Sequence, residues 1–452
     1  MDITCENSLF TSLCEQVKEN NRISPDRYSN QDIKRGLRNA DGTGVVAGLT
    51  RICNVHGYVL SEGEKQPVEG ELTYRGYSIE DLVRGTHGQG KFGFEEVAFL
   101  LLLGKLPTDK ELADFCDLLS ANRELPENFA EDMILKAPSP NIMNKLASTV
   151  LALYCYDKHP EPESLDNVLR QCIRLLAVLP SMVGYAYQVK RRHFDRESMY
   201  FHQTIPGLST SETLLRTIRA DALYTDDEAK LLDLCLMLHA EHGGGNNSAF
   251  AARVLTSSGT DTYSAISGAI GSLKGPRHGG ANLKVTQMLN DMKANIRDCS
   301  DDDEIADYLG KMLRREAGDG SGLIYGMGHA VYTLSDPRSV LLKKEAKRMA
   351  EKNGYGDDFR LLDAVERLAP EAMARVRGIE RAICANVDMY SGLVYRSLGI
   401  SEDLFTPLFA VARISGWCAH RLEEYLTGNR IIRPAYKPFG KALPYVDIKD
   451  RV

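Results

Sequence analysis

Tryptophan, paired cysteines, long apolar runs and charge of a single sign are all scarce in this chain of 452 residues. Its ten cysteines, scattered from Cys5 to Cys418, include no C-x-x-C pair, so neither a structural zinc site nor a disulfide framework is indicated. A reducing compartment suits such thiols. No strictly apolar run exceeds the seven residues of Val97 to Leu103, against about 20 needed to span a bilayer. The N-terminus, MDITCENSLF, has no basic region ahead of an apolar stretch and carries early acids, which argues against a signal or transit peptide. Lys+Arg total 55 and Asp+Glu 62, a net charge of −7, and neither sign is segregated. No concentrated basic face is left for nucleic acid. The expectation is a soluble cytoplasmic protein with no membrane and no nucleic acid as partner.

What the chain does have is apolar mass. With 43% hydrophobic and 26% charged residues it has the composition of an ordinary globular protein, long enough for two or three domains or for one large helical domain with an insert. Residues 1–50 are polar and weakly periodic, broken at Asn20-Asn21 and at Asp41-Gly42-Thr43-Gly44, and read as an N-terminal arm. Beyond them the pattern is mostly helical. Thr225 to Glu228 is a capping box opening a run, Leu231 to Leu238, with little polar face, hence a helix buried on most sides. Asp336-Pro337 places an acceptor at a helix N-cap and a ring at the first helical position, and Gly354 ends that helix. Thr406-Pro407 repeats the start signal for a helix running to Thr427-Gly428. Strand signals are confined to 52–60 and 68–75, a short hairpin. The fold class is therefore all-α, with about 18 to 20 helices.

Four of the ten histidines lie between 239 and 329. His239 and His242 close the buried helix as H-A-E-H. Residues three apart share a helical face, but with Glu241 alone between them the spacing is a weak metal signal, and a ligand-facing or satisfied buried role is the alternative. The following Gly243-Gly244-Gly245 lacks the Lys-Ser/Thr of a phosphate loop. His278 sits in G-P-R-H-G-G-A-N, where Pro276 stops one element and the glycines begin the next. A helix N-terminus there would keep the imidazole neutral, able to donate a hydrogen bond to a developing oxyanion; a turn-capping histidine is the plainer reading.

His329 ends the glycine-rich G-M-G-H, a loop able to approach a flat ligand closely. Nine residues on, Arg338 lies in the first turn of the capped helix, where a guanidinium matches a small organic acid. Asp388, flanked by Val387 and Met389, has the apolar setting that raises a carboxyl toward general-base range, although a helix cap is the commoner use of such a residue. Arg413, among Ala410, Val411, Ala412 and Ile414, is costly unless it meets an anion, or else a structural partner such as Glu423 or Asp388.

Taken in order, H-A-E-H-G-G-G-N (239–246), G-P-R-H-G-G-A-N (275–282), G-M-G-H-A-V-Y-T-L-S-D-P-R (326–338), N-V-D-M-Y-S-G (386–392) and I-I-R-P (431–434) resemble the citrate synthase family, of si type. L-T-Y-R-G-Y-S-I-E-D-L (72–82) and F-E-E-V-A-F-L-L-L-L-G-K-L-P-T (94–108) are similar to its N-terminal signatures. The resemblance covers residue 50 to the end. It implies condensation of acetyl-CoA with oxaloacetate through an enol, then hydrolysis of citryl-CoA to citrate, the entry to the tricarboxylic acid cycle. It implies Asp388 as base, His278 as donor to the enol and His329 as donor to the oxaloacetate carbonyl. It implies His242, Arg338, Arg413 and Arg433 as binders of oxaloacetate and citrate, and Leu323, Ile324, Tyr325, Gly326, Met327 and Gly328 as CoA contacts. No metal and no cofactor beyond the substrates is implied.

The family fold implied is a large helical domain (51–279 and 391–452, after the arm 1–50) with a smaller one (280–390) that closes over the site, in a homodimer with Arg433 donated across the interface. Three departures stand out: Thr333 where a basic residue often meets CoA phosphates, with Lys343 or Lys344 as substitutes; R-P-A-Y-K-P-F-G after Arg433; and Glu241 in place of an aspartate. A 2-methylcitrate synthase using propionyl-CoA, and a non-catalytic citrate- or CoA-binding homologue, are the alternatives.

Overall fold

The computed structural model describes residues 8–24, 28, 33–39, 41–61, 64–379, 381–428, 430–438 and 442–451. It divides into two compact units, Met1–Leu49 and Thr50–Val452. In the first, helix α1 (Ser8–Asn21) ends on the Asn20-Asn21 pair, and Arg38 bridges Gly44 around a turn in which the Asp41 carboxylate accepts the Thr43 N–H at 2.9 Å. None of its described residues is buried, as the polar composition requires.

The second unit opens with the only sheet among the described residues: β1 (Cys53–Ser61) pairs antiparallel with β2 (Glu64–Tyr74), which pairs with β3 (Tyr77–Ser78). The hairpin falls where the sequence puts it, except that β2 begins four residues before 68. The stretch Glu64-Lys65-Gln66-Pro67 carries no alternation of its own and is recruited as a strand by pairing with Tyr58 to Ser61. Gly57 lies at a bulge in β1 and Gly70 in β2; a Cβ at either would strike the backbone of 331–335, Val331 and Tyr332 in one case, Ser335 in the other. The loop that leads to Arg338 therefore lies directly on the hairpin. The Gly70 N–H donates to Ser335 Oγ at 3.1 Å.

Fifteen α-helices follow among the described residues. The first ten are α2 (Ile79–Gly85), α3 (Phe94–Leu103), α4 (Asp109–Ala121), α5 (Ile142–Ala152), α6 (Leu165–Lys190), α7 (Thr210–Ile218), α8 (Asp226–His239), α9 (Asn247–Ser257), α10 (Thr262–Lys274) and α11 (Ala281–Asn295). The remaining five are α12 (Asp302–Leu313), α13 (Pro337–Lys352), α14 (Gly356–Arg377), α15 (Asp388–Ser397) and α16 (Phe405–Thr427). The total of sixteen, below the expected 18 to 20, reflects short 3-10 and π-type turns in place of separate helices. α16 is the hub: it packs on α3, α5, α6, α8, α9, α10 and α11, and of its eighteen residues from Phe405 to Leu422 all but Thr406 and Phe409 are buried. α12 packs on α14, and α13 and α11 both pack on α15.

The local signals explain the helix ends that matter. Thr225 and Glu228 form the capping box of α8, whose Leu231 to His239 are all buried. Asp336 caps α13, Pro337 is its first residue, and Gly354 beyond its end has φ 81°. α16 instead starts at Phe405, ahead of Thr406: a short 3-10 turn at Glu402–Leu404 feeds straight into it, and Pro407 is accommodated because the first helical N–H groups lack intrahelical partners anyway. The Thr406 hydroxyl, freed from capping, donates to the Gly279 carbonyl at 2.9 Å. α6 has the length and apolar composition of a membrane span, yet most of it is buried inside the protein as a core helix.

Two glycines make opposite predictions. Gly70→Ala forces a Cβ into the Ser335 carbonyl and should cost about 1–3 kcal/mol of stability. Gly271→Ala, in mid-α10 with open space at its Cβ, should gain about 0.5–1 kcal/mol. Urea unfolding midpoints of the two variants and the parent check both signs.

Candidate active site

The ends of α8, α11, α13 and α15 converge beside the middle of α16. Arg413, on α16, is fully buried. Its Nε donates to the His239 carbonyl at 2.7 Å, its guanidinium lies 4.6 Å from the Phe409 ring centre, and both Nη atoms are buried without a partner. Burial pulls its pKa down, and Glu241 is the main counterweight. An unpaired planar cation in the core is costly and is built to receive a carboxylate.

Three neutral imidazoles lie around it and Arg338. His239 is buried against Phe409, ring centres 4.5 Å apart, with neither nitrogen hydrogen-bonded. His242 stands edge-on to His329 at 4.9 Å and to Tyr332 at 5.6 Å, its Nε2 also unpartnered. Burial first, then the charges of Arg338 and Arg413, hold both well below the usual histidine range. The two rings thus face different neighbours rather than one shared point. His329 has its tautomer fixed: Nδ1 accepts the N–H groups of Val331 and Tyr332, each at 3.1 Å, so the proton is on Nε2. Burial and Arg338 lower its pKa to about 4. The ring is a neutral donor, stacked on Tyr332 at 4.5 Å.

His278 lies in the turn two residues before Gly280, the N-cap of α11. Burial, followed by the charge of Arg413, lowers its pKa to about 4. These two causes act on a ring that stands two residues ahead of the N-cap of α11. His278 Nε2 is 3.0 Å from Ser248 Oγ, which also accepts Trp417 Nε1–H at 3.0 Å and lies 2.9 Å from Asn246 Oδ1. The Ser248 hydroxyl gives its one proton to Asn246 Oδ1, which makes Nε2 the donor to Ser248; a turn of that hydroxyl toward Nε2 would place the imidazole proton on Nδ1, free for a substrate oxygen.

Asp388 is the first residue of α15. Its N–H, not its carboxylate, makes the local turn contact, to Asn386 Oδ1 at 3.0 Å, so the residue is not a helix cap. Burial raises the carboxyl to about 6, with Arg338 the leading opposing charge. The glycine-rich loop is fastened to the same segment: Gly328 N–H donates to the Cys384 carbonyl and Asn386 N–H to the Gly326 carbonyl, both at 2.8 Å, and Met327 bridges Ala385. Gly326 has φ 83°, and a Cβ there would lie 3.1 Å from the Met389 Cα, so only glycine lets the loop run this close to Asp388. Ile324 in this loop is buried, Leu323 exposed, and the Tyr325 hydroxyl donates to Asp319 at 2.6 Å.

Arg338 is buried and spends Nε and Nη2 on Asp336, at 3.0 and 2.7 Å, a pairing that raises its pKa. Reading Asp336 as a cap alone missed this second role, which no spacing rule encodes. Ser248, Asn386 and Trp417 were also missed, since their importance comes only from which imidazole or loop they touch. Arg433 lies exposed in the extended C-terminal segment, away from any described partner in this chain. Lys343 is tied to Asp363 and Glu366, at 2.5 and 2.7 Å, while Lys344 is exposed.

The site can bind a small polycarboxylate, donate hydrogen bonds from neutral imidazoles, and remove a weakly acidic proton. That is the equipment of an enzyme joining an enolised thioester to a keto acid. A family model, the citrate synthase C-terminal domain, matches residues 39–435. A citrate synthase of Synechocystis sp. is 33% identical over 426 residues, covering 94% of this chain and 95% of its own. A 2-methylcitrate synthase of Shewanella oneidensis is 34% identical over 380 residues, covering 80% and 87%. The citrate synthase of Thermoplasma acidophilum, solved as a ternary complex with carboxymethyl coenzyme A and oxaloacetate, superposes with a TM-score of 0.75 at 25% identity over 93% of this chain and all of that one. The chain belongs to the citrate synthase family. It is an acyltransferase of all-α fold, and the reaction is citrate synthesis.

The pH profile follows from the signs. Asp388 acts only when ionised, and its raised pKa places that ionisation near 6, whereas His278 and His329 are already neutral above about 4. kcat/KM should therefore rise tenfold per pH unit up to about 6 and level off above, with no second break down to pH 5. A profile still flat at pH 5 would contradict the assignment of the base.

Proposed function

We propose that the chain condenses acetyl-CoA with oxaloacetate, using the residues above in these roles. Arg413 binds an oxaloacetate carboxylate through its two unpaired Nη atoms, the observation that carries the reading. His242, with an unpartnered Nε2 beside His329, and Arg338 complete the anion cradle. His329 Nε2–H polarises the keto carbonyl. Asp388 removes a proton from the acetyl methyl, its negative charge passing to the thioester oxygen, where the hydrogen bond donated by His278 stabilises it. The enol carbon attacks the polarised ketone, and water then cleaves citryl-CoA to citrate and CoA. The substrates supply all the chemistry, with no cofactor and no metal.

Residues 323–328 contact CoA in this reading, supported by the fastening of 326–328 to the segment that carries Asp388. Residues 280–390 act as a domain that closes over bound oxaloacetate, expelling water before enolisation. Arg433 reaches the site of a second copy in a homodimer; its exposure on an extended segment supports that role. The cytoplasm suits the nine described cysteines, all free.

Release of thiol on mixing acetyl-CoA and oxaloacetate tests the reaction, and kcat/KM for acetyl-CoA should exceed that for propionyl-CoA; the reverse order makes the chain a 2-methylcitrate synthase. One methylene is worth about 1–3 kcal/mol in a pocket, so the preference is measurable. Asp388→Ala should lose at least about a hundredfold in kcat while still binding oxaloacetate, because a general base contributes about 10²–10⁴-fold. Arg413→Leu should instead weaken oxaloacetate binding by about tenfold or more, read by calorimetry.

A further inference from the structure

Behind the site lies a buried polar chain to which none of the roles above is assigned. Glu241, between the two site histidines His239 and His242, is fully buried, and its Oε1 is 3.0 Å from Nε2 of His420, itself fully buried on α16. His420 Nδ1 accepts the Nε–H of Arg253 at 3.0 Å, so the imidazole proton belongs to Nε2 and is donated to Glu241. Arg253 is held in turn by Glu423 and by Glu424, the latter at 2.9 Å, and Glu423 accepts the Arg51 N–H at 2.8 Å. The middle glycine of the triplet has its explanation here: a Cβ on Gly244 would lie 3.3 Å from the His420 ring and 3.4 Å from Arg253 Nε, so the chain leaving His242 runs directly across this pair. Glu241 also presses on α16, where a Cβ at Gly416 would strike its carboxylate. A full negative charge is thus held in the core one residue from His242 and within electrostatic reach of Arg413.

We infer that His420 is a positioning residue for the keto-acid substrate: locked by Arg253 in a single tautomer, it fixes Glu241, and through Glu241 it sets both the placement of His242 and the charge balance around Arg413. This rests on Arg413 and His242 binding oxaloacetate. His420 touches no substrate, and nothing in the chain of contacts reaches the 323–328 loop.

His420→Phe keeps the ring volume and removes both hydrogen bonds; His420→Gln keeps an acceptor for Arg253 and a donor for Glu241. Steady-state kinetics of the full-length enzyme should show oxaloacetate KM raised about tenfold or more in His420→Phe, the scale of one lost charge-assisted hydrogen bond, with acetyl-CoA KM at saturating oxaloacetate unchanged. His420→Gln should return oxaloacetate KM to within about threefold of the parent. Equal impairment in the two variants, or a parallel rise in both substrates' KM values, overturns the inference. If His420→Phe does not fold, Arg253→Met removes the tautomer lock from the other side, and an unchanged oxaloacetate KM there overturns it as well. A parent enzyme releasing no thiol from acetyl-CoA and oxaloacetate would sink the underlying function; an active parent with an indifferent His420 would sink this inference alone.

Discussion

A guanidinium with two unpaired Nη atoms at the centre of a helical core is the constraint around which the molecule is organised. Desolvating such a charge costs several kcal/mol unless something offsets it. Here the offsets are partial: one hydrogen bond to the His239 carbonyl, the face of Phe409, and the field of Glu241. The shortfall makes the core receptive to a carboxylate, and the same cation adds to the burial that keeps His278 and His242 from taking a second proton. One charge therefore contributes twice, drawing in an acid and reinforcing the neutrality of the imidazoles near it. Arg338 differs, since Asp336 already occupies two of its donors.

The base is tuned by the opposite balance. At Asp388 burial raises the carboxyl, and the nearby cations Arg338 and Arg413 offset only part of that, leaving it near 6. A carboxylate closer to either guanidinium would be too weak a base; one with no cation in reach would stay protonated at neutral pH. The position follows from backbone rather than from ion pairing, because Asp388 begins α15 and the 326–328 loop is hydrogen-bonded to the residues just ahead of it.

The sequence made legible whatever depends on neighbours along the chain. The capping box at Thr225, the Asp-Pro start of α13, the hairpin and the all-α class are local facts, and the structure has them. The identity of the site histidines and of Asp388 came from ordered motifs resembling a family. What stayed hidden is non-local. Asp336 pairs with Arg338 as well as capping a helix, Ser248 meets a histidine 30 positions away, and His420 meets Glu241 across 179. Burial and a cation on another helix, which act on the neutrality of His278, are invisible to a reading of its own turn. The polar start of β2 was overlooked because strand pairing, not alternation, creates it.

Asp336 uses the same oxygen, Oδ1, for the first-turn N–H of α13 and for the Arg338 side chain. The guanidinium and the N-terminal end of a 16-residue helix therefore share one anchor. The far end of that helix lies roughly 24 Å off, at 1.5 Å per residue. There Arg348 and Lys352 hold Asp227 at the opposite end of α8 from His239. Two antiparallel rods, each with one tip in the chemistry, are thus pinned together at their outer tips, so that a small rotation of either about that pin is delivered to the substrate as a displacement.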